Sequence, residues 1–276
     1  MKVVKRSGDI VEFDRQKLER SLLNSGALPS LVKDVLLKID QIAYDGMSTK
    51  QIYKQAFAML KKQSNAHAAR YNLRTALQLL GPAGFFFEKF IARLYASEGW
   101  KTKTNLVLQG RCVSHEVDVA MRKGSSMMMA ECKFHNSREA ISDVKVPMYI
   151  LSRFNDLKTQ RHDIFTRSDS ITSCLIVTNN RFSSDAITFG TCSGLQLLSW
   201  DYPGKDSIRL KIDSKGLSPI TCLTTLSLVE KEKLLILDVL LVEDIINNAD
   251  CLRKISLSES RIKNVLKEAS ELCNYI

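Results

Sequence analysis

Two short apolar runs, Glu116–Met121 and Met127–Lys133, constrain this chain more tightly than any other stretch. Between them lies polar Arg122-Lys123-Gly124-Ser125-Ser126, whose glycine suits a hairpin turn. Successive side chains in a strand alternate between faces. Glu116, Asp118 and Ala120 therefore share one face of the first strand, and Glu131 and Lys133 share one face of the second. A hairpin then brings Asp118 close to Glu131 and Lys133. Charges inside apolar strands are costly unless they are paired or bind metal. Two carboxylates suit a hard divalent cation such as magnesium or manganese. Such a cation neutralises a phosphate, orients a water and lowers its pKa. A neighbouring lysine stabilises the charge that develops. The pattern predicts phosphodiester hydrolysis, with Asp118, Glu131 and Lys133 as catalytic residues.

The surrounding chain reads as three segments. The first is mostly helical after an opening hairpin, Lys2–Lys5 with Ile10–Phe13, joined by the turn signal Ser7-Gly8-Asp9. Asp14 caps a first helix, and Leu31–Ile42 forms a second. Ser48 or Thr49 caps a third, and a fourth runs from about Ala66 through Leu80. Gly81-Pro82-Ala83-Gly84 then breaks the helical pattern. A helix over Phe85–Ala96 follows, and beyond it strands and helices alternate, the signature of an α/β domain. Ala140–Leu157 reads as helical, with Pro147 starting or kinking it. Past Pro203 the chain turns helical again, in short helices at Ser227–Ile236, Val242–Asn248 and Glu259–Ala269. The expected domains are residues 1–80, 81–210 and 211–276.

Composition narrows the partners. The formal net charge is +10 over 276 residues, a field that favours polyanions. The seven cysteines form no CxxC pair, which argues against a structural zinc site or a disulfide framework and fits a reducing cytoplasm. No uncharged apolar run is long enough to span a bilayer, and the N-terminus lacks the apolar core of a signal peptide.

With these motifs in view, residues from about Gly81 to Pro203 resemble a restriction-endonuclease-like PD-(D/E)xK nuclease domain of the Mrr type. The resemblance implies an α/β/α domain around a mixed sheet. It adds a helix glutamate, matched by Glu88, to the aspartate Asp118 and the ExK strand Glu131-Cys132-Lys133. Glu88 thus joins Asp118 and Glu131 as a candidate metal ligand. Val177-Thr178-Asn179, Phe182–Ala186 and Leu197-Leu198-Ser199-Trp200-Asp201 are also similar to that family. The family often carries QxxxY on the helix after the lysine. This chain departs from it, with Lys145 and Tyr149 around Pro147. Glu116 and His115 are candidates to assist metal or phosphate binding, and His135 reads as part of a solvated turn.

Residues 1–80 resemble an ATP-cone, a nucleotide-sensing domain. The match rests on Val4-Lys5-Arg6-Ser7-Gly8 before Phe13-Asp14, on Lys17-Leu18, on Tyr44–Thr49 with Ile52, and on Ala68–Arg74. Lys5 and Arg6 precede a glycine turn and can meet phosphates, and Lys17 can add a further contact. The resemblance places Val4, Thr49 and Tyr53 at the nucleotide, Tyr53 standing where some relatives have histidine. No GxxxxGK[ST] loop is present, so ATP or dATP is expected as an effector rather than a fuel.

The expected protein is a cytoplasmic magnesium-dependent DNA endonuclease, a homo-oligomer regulated by ATP or dATP and suited to restriction or anti-phage defence. The alternative is a non-catalytic, nucleotide-responsive DNA-binding regulator that uses the nuclease fold as a scaffold. The C-terminal helices read equally as a DNA-binding or an oligomerisation module.

Overall fold

A computed structural model describes residues 1–5, 7–81 and 84–274. Arg6 and the Pro82-Ala83 pair of the expected boundary lie outside the described residues. The fold is mixed α/β, with a small sheet near the N-terminus and a larger one in the middle of the chain. Two compact units form: Met1–Ala76 together with the C-terminal stretch from Ser218, and Leu77–Leu217.

The N-terminal stretch begins with β1 (Lys2–Val4) and β2 (Ile10–Glu12), an antiparallel pair closed by the turn at Gly8. α1 (Arg15–Leu23) starts where the Asp14 carboxylate accepts the Lys17 N–H. α2 (Pro29–Ile42) follows, with proline at its first position, where the missing N–H costs nothing. β3 (Met47–Ser48) joins β1 in parallel, giving the order β2-β1-β3. α3 (Thr49–Gln63) opens on a capping box between Ser48 and Gln51, so Ser48 rather than Thr49 is its cap. The single fourth helix expected over Ala66–Leu80 is two, α4 (Asn65–Tyr71) and α5 (Leu73–Gln78). The break falls at Asn72, whose side-chain oxygen accepts the Tyr53 hydroxyl at 2.6 Å. Leu22, Val35, Ile39, Ala56 and Leu60 form the buried heart of this stretch.

The central unit carries α6 (Phe85–Ala96), preceded by Gly84 at a φ of 87°, a left-handed conformation suited to glycine. Its strands are β4 (Lys101–Gln109), β5 (Ser114–Lys123) and β6 (Ser126–Lys133). After α7 (Lys145–Leu157) come β7 (Ser173–Thr178), α8 (Ser184–Cys192), β8 (Gln196–Leu198) and α9 (Ile208–Lys215). The sheet order is β4-β5-β6-β7-β8, antiparallel across the first three strands and parallel across the last three. β4 is longer than its apolar Leu106–Leu108 core suggested, because Lys101-Thr102-Lys103-Thr104 continues the ladder along a sheet edge. Pro147 sits in the first turn of α7, where it starts the helix rather than kinking it.

The C-terminal helices are α10 (Leu228–Ile236), α11 (Val242–Asn247), α12 (Asp250–Lys254) and α13 (Glu259–Cys273). They pack in the same unit as the N-terminal stretch, α13 lying against α4. All seven cysteines are free thiols. Among the described residues no helix is long and apolar enough to cross a membrane.

Candidate functional site

The β5–β6 ladder ends at Val119↔Ala130. Carried one residue further, this register sets Asp118 opposite Glu131, and opposite residues of an antiparallel pair share a face. Asp118 Oδ2 crosses the gap to accept the Cys132 backbone N–H at 2.6 Å. Glu131 Oε2 accepts Arg153 Nη1 of α7 at 2.7 Å. Each carboxylate thus has one oxygen tied into the fold. The other oxygens, Asp118 Oδ1 and Glu131 Oε1, make no hydrogen bond among the described residues. Lys133, two residues on along β6, is exposed, and its ammonium has no ion pair among the described residues.

Glu88 lies in the first turn of α6, which packs on β4 and β5. Burial, then the charges of Asp118 and Glu116, push its pKa up to about 7. Glu131 is also raised to about 7, by burial and by Asp118, against the pull of Arg153 and Lys133. Burial raises Asp118 too, while its bond from Cys132 N–H and the Arg153 charge pull the other way. The structure therefore brings Glu88, Asp118 and Glu131 into one electrostatic cluster. Its carboxylates hold one another's negative charge at a cost.

That cost has a measurable consequence. A carboxyl whose folded pKa lies near 7, against an ordinary 4.5, destabilises the fold as pH rises through that window. The Glu88 carboxylate makes no hydrogen bond or ion pair among the described residues. In EDTA, Glu88→Gln is therefore expected to raise Tm at pH 8 and to leave it nearly unchanged at pH 4, below the ordinary carboxyl range. A thermal melt of both proteins at the two pH values checks this; a lower Tm at pH 8 would contradict it.

Several groups around the cluster hold it in place. A Cβ at Gly81 would stand 2.4 Å from the Phe134 ring, so this position admits only glycine unless the ring moves. Phe134 packs in turn on Phe87 of α6, with ring centroids 5.7 Å apart. Fully buried Asn179 grips His135 by both its N–H and its carbonyl, at 2.8 Å each. His135 also bonds Ser142 Oγ at 3.0 Å, so it is half-buried structure and not a solvated turn. His115 is drawn away from the cluster: its Nε2 meets Asp156 at 2.8 Å. Asp156 also accepts the Cys112 and Val113 N–H groups, and these bonds hold its carboxyl down at about 2. This pair anchors the β4–β5 hairpin, whereas Glu116 contributes charge to Glu88 and Asp118.

On α7, Tyr149 is exposed and Lys145 stands at the helix start. Sequence reasoning passed over Arg153 on this helix. Its signal was present, because Pro147, Ile150 and Leu157 mark the buried face and Arg153 falls among them.

A divalent cation fits this donor set within limits. Among the described residues no three His, Cys, Asp or Glu side chains converge as ligands for one ion. Two carboxylates with one oxygen free apiece match magnesium, which keeps most of its waters, rather than an all-protein cage.

The nucleotide candidates divide. Val4 pairs with Ser48 in the β1–β3 register, so Lys5 and Thr49 follow directly on neighbouring strand ends. Tyr53 lies one helical turn beyond Thr49 on α3. Its ring stacks on Tyr71 at 4.9 Å and its hydroxyl is spent on Asn72. Val4, Lys5 and Thr49 thus lie together, with Tyr53 one helical turn further along α3. Lys17 is exposed in the first turn of α1, and its ammonium bonds none of them. Arg6 lies outside the described residues.

Residues 1–76 match the ATP cone domain, and residues 219–273 match the AF1548-like C-terminal domain. The class is therefore an ATP cone joined to a mixed α/β unit. An uncharacterized protein of Archaeoglobus fulgidus is 34% identical over 186 residues, covering 66% of this chain and 99% of that protein. The chain belongs to the AF1548-like family. The crystal structure of AF1548, a protein of unknown function, is similar with a TM-score of 0.57 and 33% identity, over 69% of this chain and 98% of that one. The MspJI restriction endonuclease, solved with a 27-mer oligonucleotide, is 14% identical with a TM-score of 0.31, over 48% of this chain and 29% of that one. That overlap is too slight to bear on function.

Proposed function

We propose that the central unit is a magnesium-dependent endodeoxyribonuclease of the PD-(D/E)xK kind, controlled by ATP or dATP bound to the cone. The observation that carries this reading is the cluster of Glu88, Asp118 and Glu131 beside exposed Lys133, which has no ion pair among the described residues. Asp118 Oδ1 and Glu131 Oε1 would hold the cation, which supplies charge neutralisation and a more acidic bound water. Lys133 offers its free ammonium to the phosphate as negative charge grows in the transition state. Glu88, poised near neutrality, is suited to hold or pass a proton at the edge of the site. The sensor would span residues 1–80, the nuclease 81–210 and a helical module 211–276. The positive charge of the chain fits a DNA partner, and a cutting domain under nucleotide control fits restriction or anti-phage defence in a homo-oligomer. Incubating plasmid DNA with magnesium, with and without ATP or dATP, tests the reading. Binding without nicking in any nucleotide state would favour a regulator instead.

The cone gives a separate prediction. Lys5 and Thr49 end neighbouring strands, and hydrogen bonds to a charged group are worth about 1.5–3 kcal/mol each. Lys5→Ala is therefore expected to weaken ATP binding about tenfold or more. Titration calorimetry measures this, and unchanged affinity would remove Lys5 from the nucleotide site.

A further inference from the structure

We infer that Arg153 is a positioning residue that makes Glu131 a one-oxygen ligand for the cation; this rests on the metal-site reading above. The side chain is buried on α7, and its guanidinium reaches two different strands. Nη1 holds Glu131 Oε2 of β6 at 2.7 Å, while Nη2 donates to the Glu116 carbonyl of β5. Both acceptors lie just past Val119↔Ala130, where the backbone ladder between these strands has stopped. The arginine fork therefore ties β5 to β6 where their own hydrogen bonds no longer do. It fixes Glu131 at Oε2 and leaves Oε1 as the oxygen for a cation. The Tyr149 ring lies over the guanidinium, its centroid 5.6 Å away, and Ile150 and Leu157 seat the helix beneath. A buried guanidinium is expensive to desolvate, so its retention beside the carboxylates asks for a reason beyond packing. A planar fork can serve an oxygen on each of two strands, which a lysine ammonium on a flexible stem matches poorly.

A positioning role and a purely electrostatic one predict opposite results. If Arg153 only opposed the cation with its charge, removing that charge would tighten metal binding. If it positions Glu131, removal loosens it. The test is Mn2+ binding to the full chain by calorimetry and electron paramagnetic resonance, in the wild type, Arg153→Gln and Arg153→Lys. Arg153→Gln is expected to weaken Mn2+ binding about 10–100-fold, the usual range for groups that orient a metal ligand. Arg153→Lys, which keeps the charge but not the fork, is expected to fall between Arg153→Gln and the wild type. Unchanged or tighter Mn2+ binding in Arg153→Gln overturns the inference. Should Arg153→Gln fail to fold, Arg153→Lys decides alone, and wild-type affinity in that variant overturns it. Wild-type protein that binds Mn2+ but cuts no nucleic acid overturns the nuclease reading and leaves Arg153 to be judged on affinity. Wild-type protein that binds no Mn2+ overturns both.

Discussion

Lys133→Ala is expected to lower magnesium-dependent DNA cleavage by about 10²–10³-fold, the loss typical when one group that stabilises transition-state charge is removed. Its Tm should stay within about a degree of the wild type, because Lys133 is exposed and has no ion pair among the described residues, and such positions contribute little to stability. Glu131→Gln is expected to lose at least as much activity, since an amide oxygen is a poorer ligand for a hard cation than a carboxylate. It differs in a second respect. Glu131 pairs with buried Arg153, yet burial and Asp118 still push its pKa up to about 7, so neutralising it is expected to raise Tm at pH 8 in EDTA, as for Glu88. The two variants together separate chemistry from folding: both lose activity, and neither loses stability. Steady-state cleavage assays with thermal melts read out the pair. Wild-type cleavage by both would sink the nuclease assignment.

Much of the fold was legible because its elements carry local signals. Asp14, Ser48 and Ser227 cap the helices they precede, each side chain accepting an N–H in the first turn. Phe85–Ala96 was bounded to the residue by its apolar pattern. The helix break at Asn72 was not legible. Asn72 there accepts a bond from Tyr53, distant in sequence, and no local pattern reports such a partner. The ends of β4 were missed for a similar reason. An edge strand needs little apolar surface, so Lys101–Thr104 looks like loop until its ladder with β5 is seen.

The candidate site was legible through alternation. Period-two spacing put Asp118 on one face of its strand and Glu131 with Lys133 on one face of theirs, and the ladder, carried one residue past its end, sets Asp118 opposite Glu131. What alternation could not supply was the third dimension. Arg153 arrives from α7, and His115 leaves for Asp156, through contacts between elements far apart in sequence. A charged residue among Pro147, Ile150 and Leu157 was the one available hint, and it points to burial without naming the partner.

Glu268→Ala is expected to destabilise the unit built around the cone by about 3–5 kcal/mol, the range for breaking a buried charged contact. Glu268 on α13 is 1% exposed. Its carboxylate accepts the Thr224 N–H at 2.7 Å, the Thr225 N–H at 2.9 Å and the Thr225 hydroxyl at 2.6 Å. Lys61 at the end of α3 donates to the Thr224 carbonyl at 3.1 Å, and Arg261 to the Thr225 carbonyl at 2.9 Å. The Thr224-Thr225 turn is therefore held on its donors by α13 and on its acceptors by α3 and α13. Alanine would leave two backbone N–H groups without their acceptor, each costing about 1–3 kcal/mol where water cannot replace it. It would also leave buried Lys231, whose pKa burial already lowers, without a nearby negative charge. Adding Lys231→Met to Glu268→Ala should restore part of the loss, because the uncompensated charge is gone. This knot bears on what the C-terminal helices are for. From Ser218 onward the chain has seven basic and nine acidic residues, which is not the footprint of a DNA-binding module. Its Thr224 carbonyl instead accepts Lys61 at the end of α3, the helix that carries Thr49 and Tyr53. Glu268→Ala should therefore weaken ATP binding as well as lower Tm, measured by calorimetry well below the variant's own melting point. A lowered Tm with wild-type ATP affinity would make the C-terminal helices a support for the fold alone.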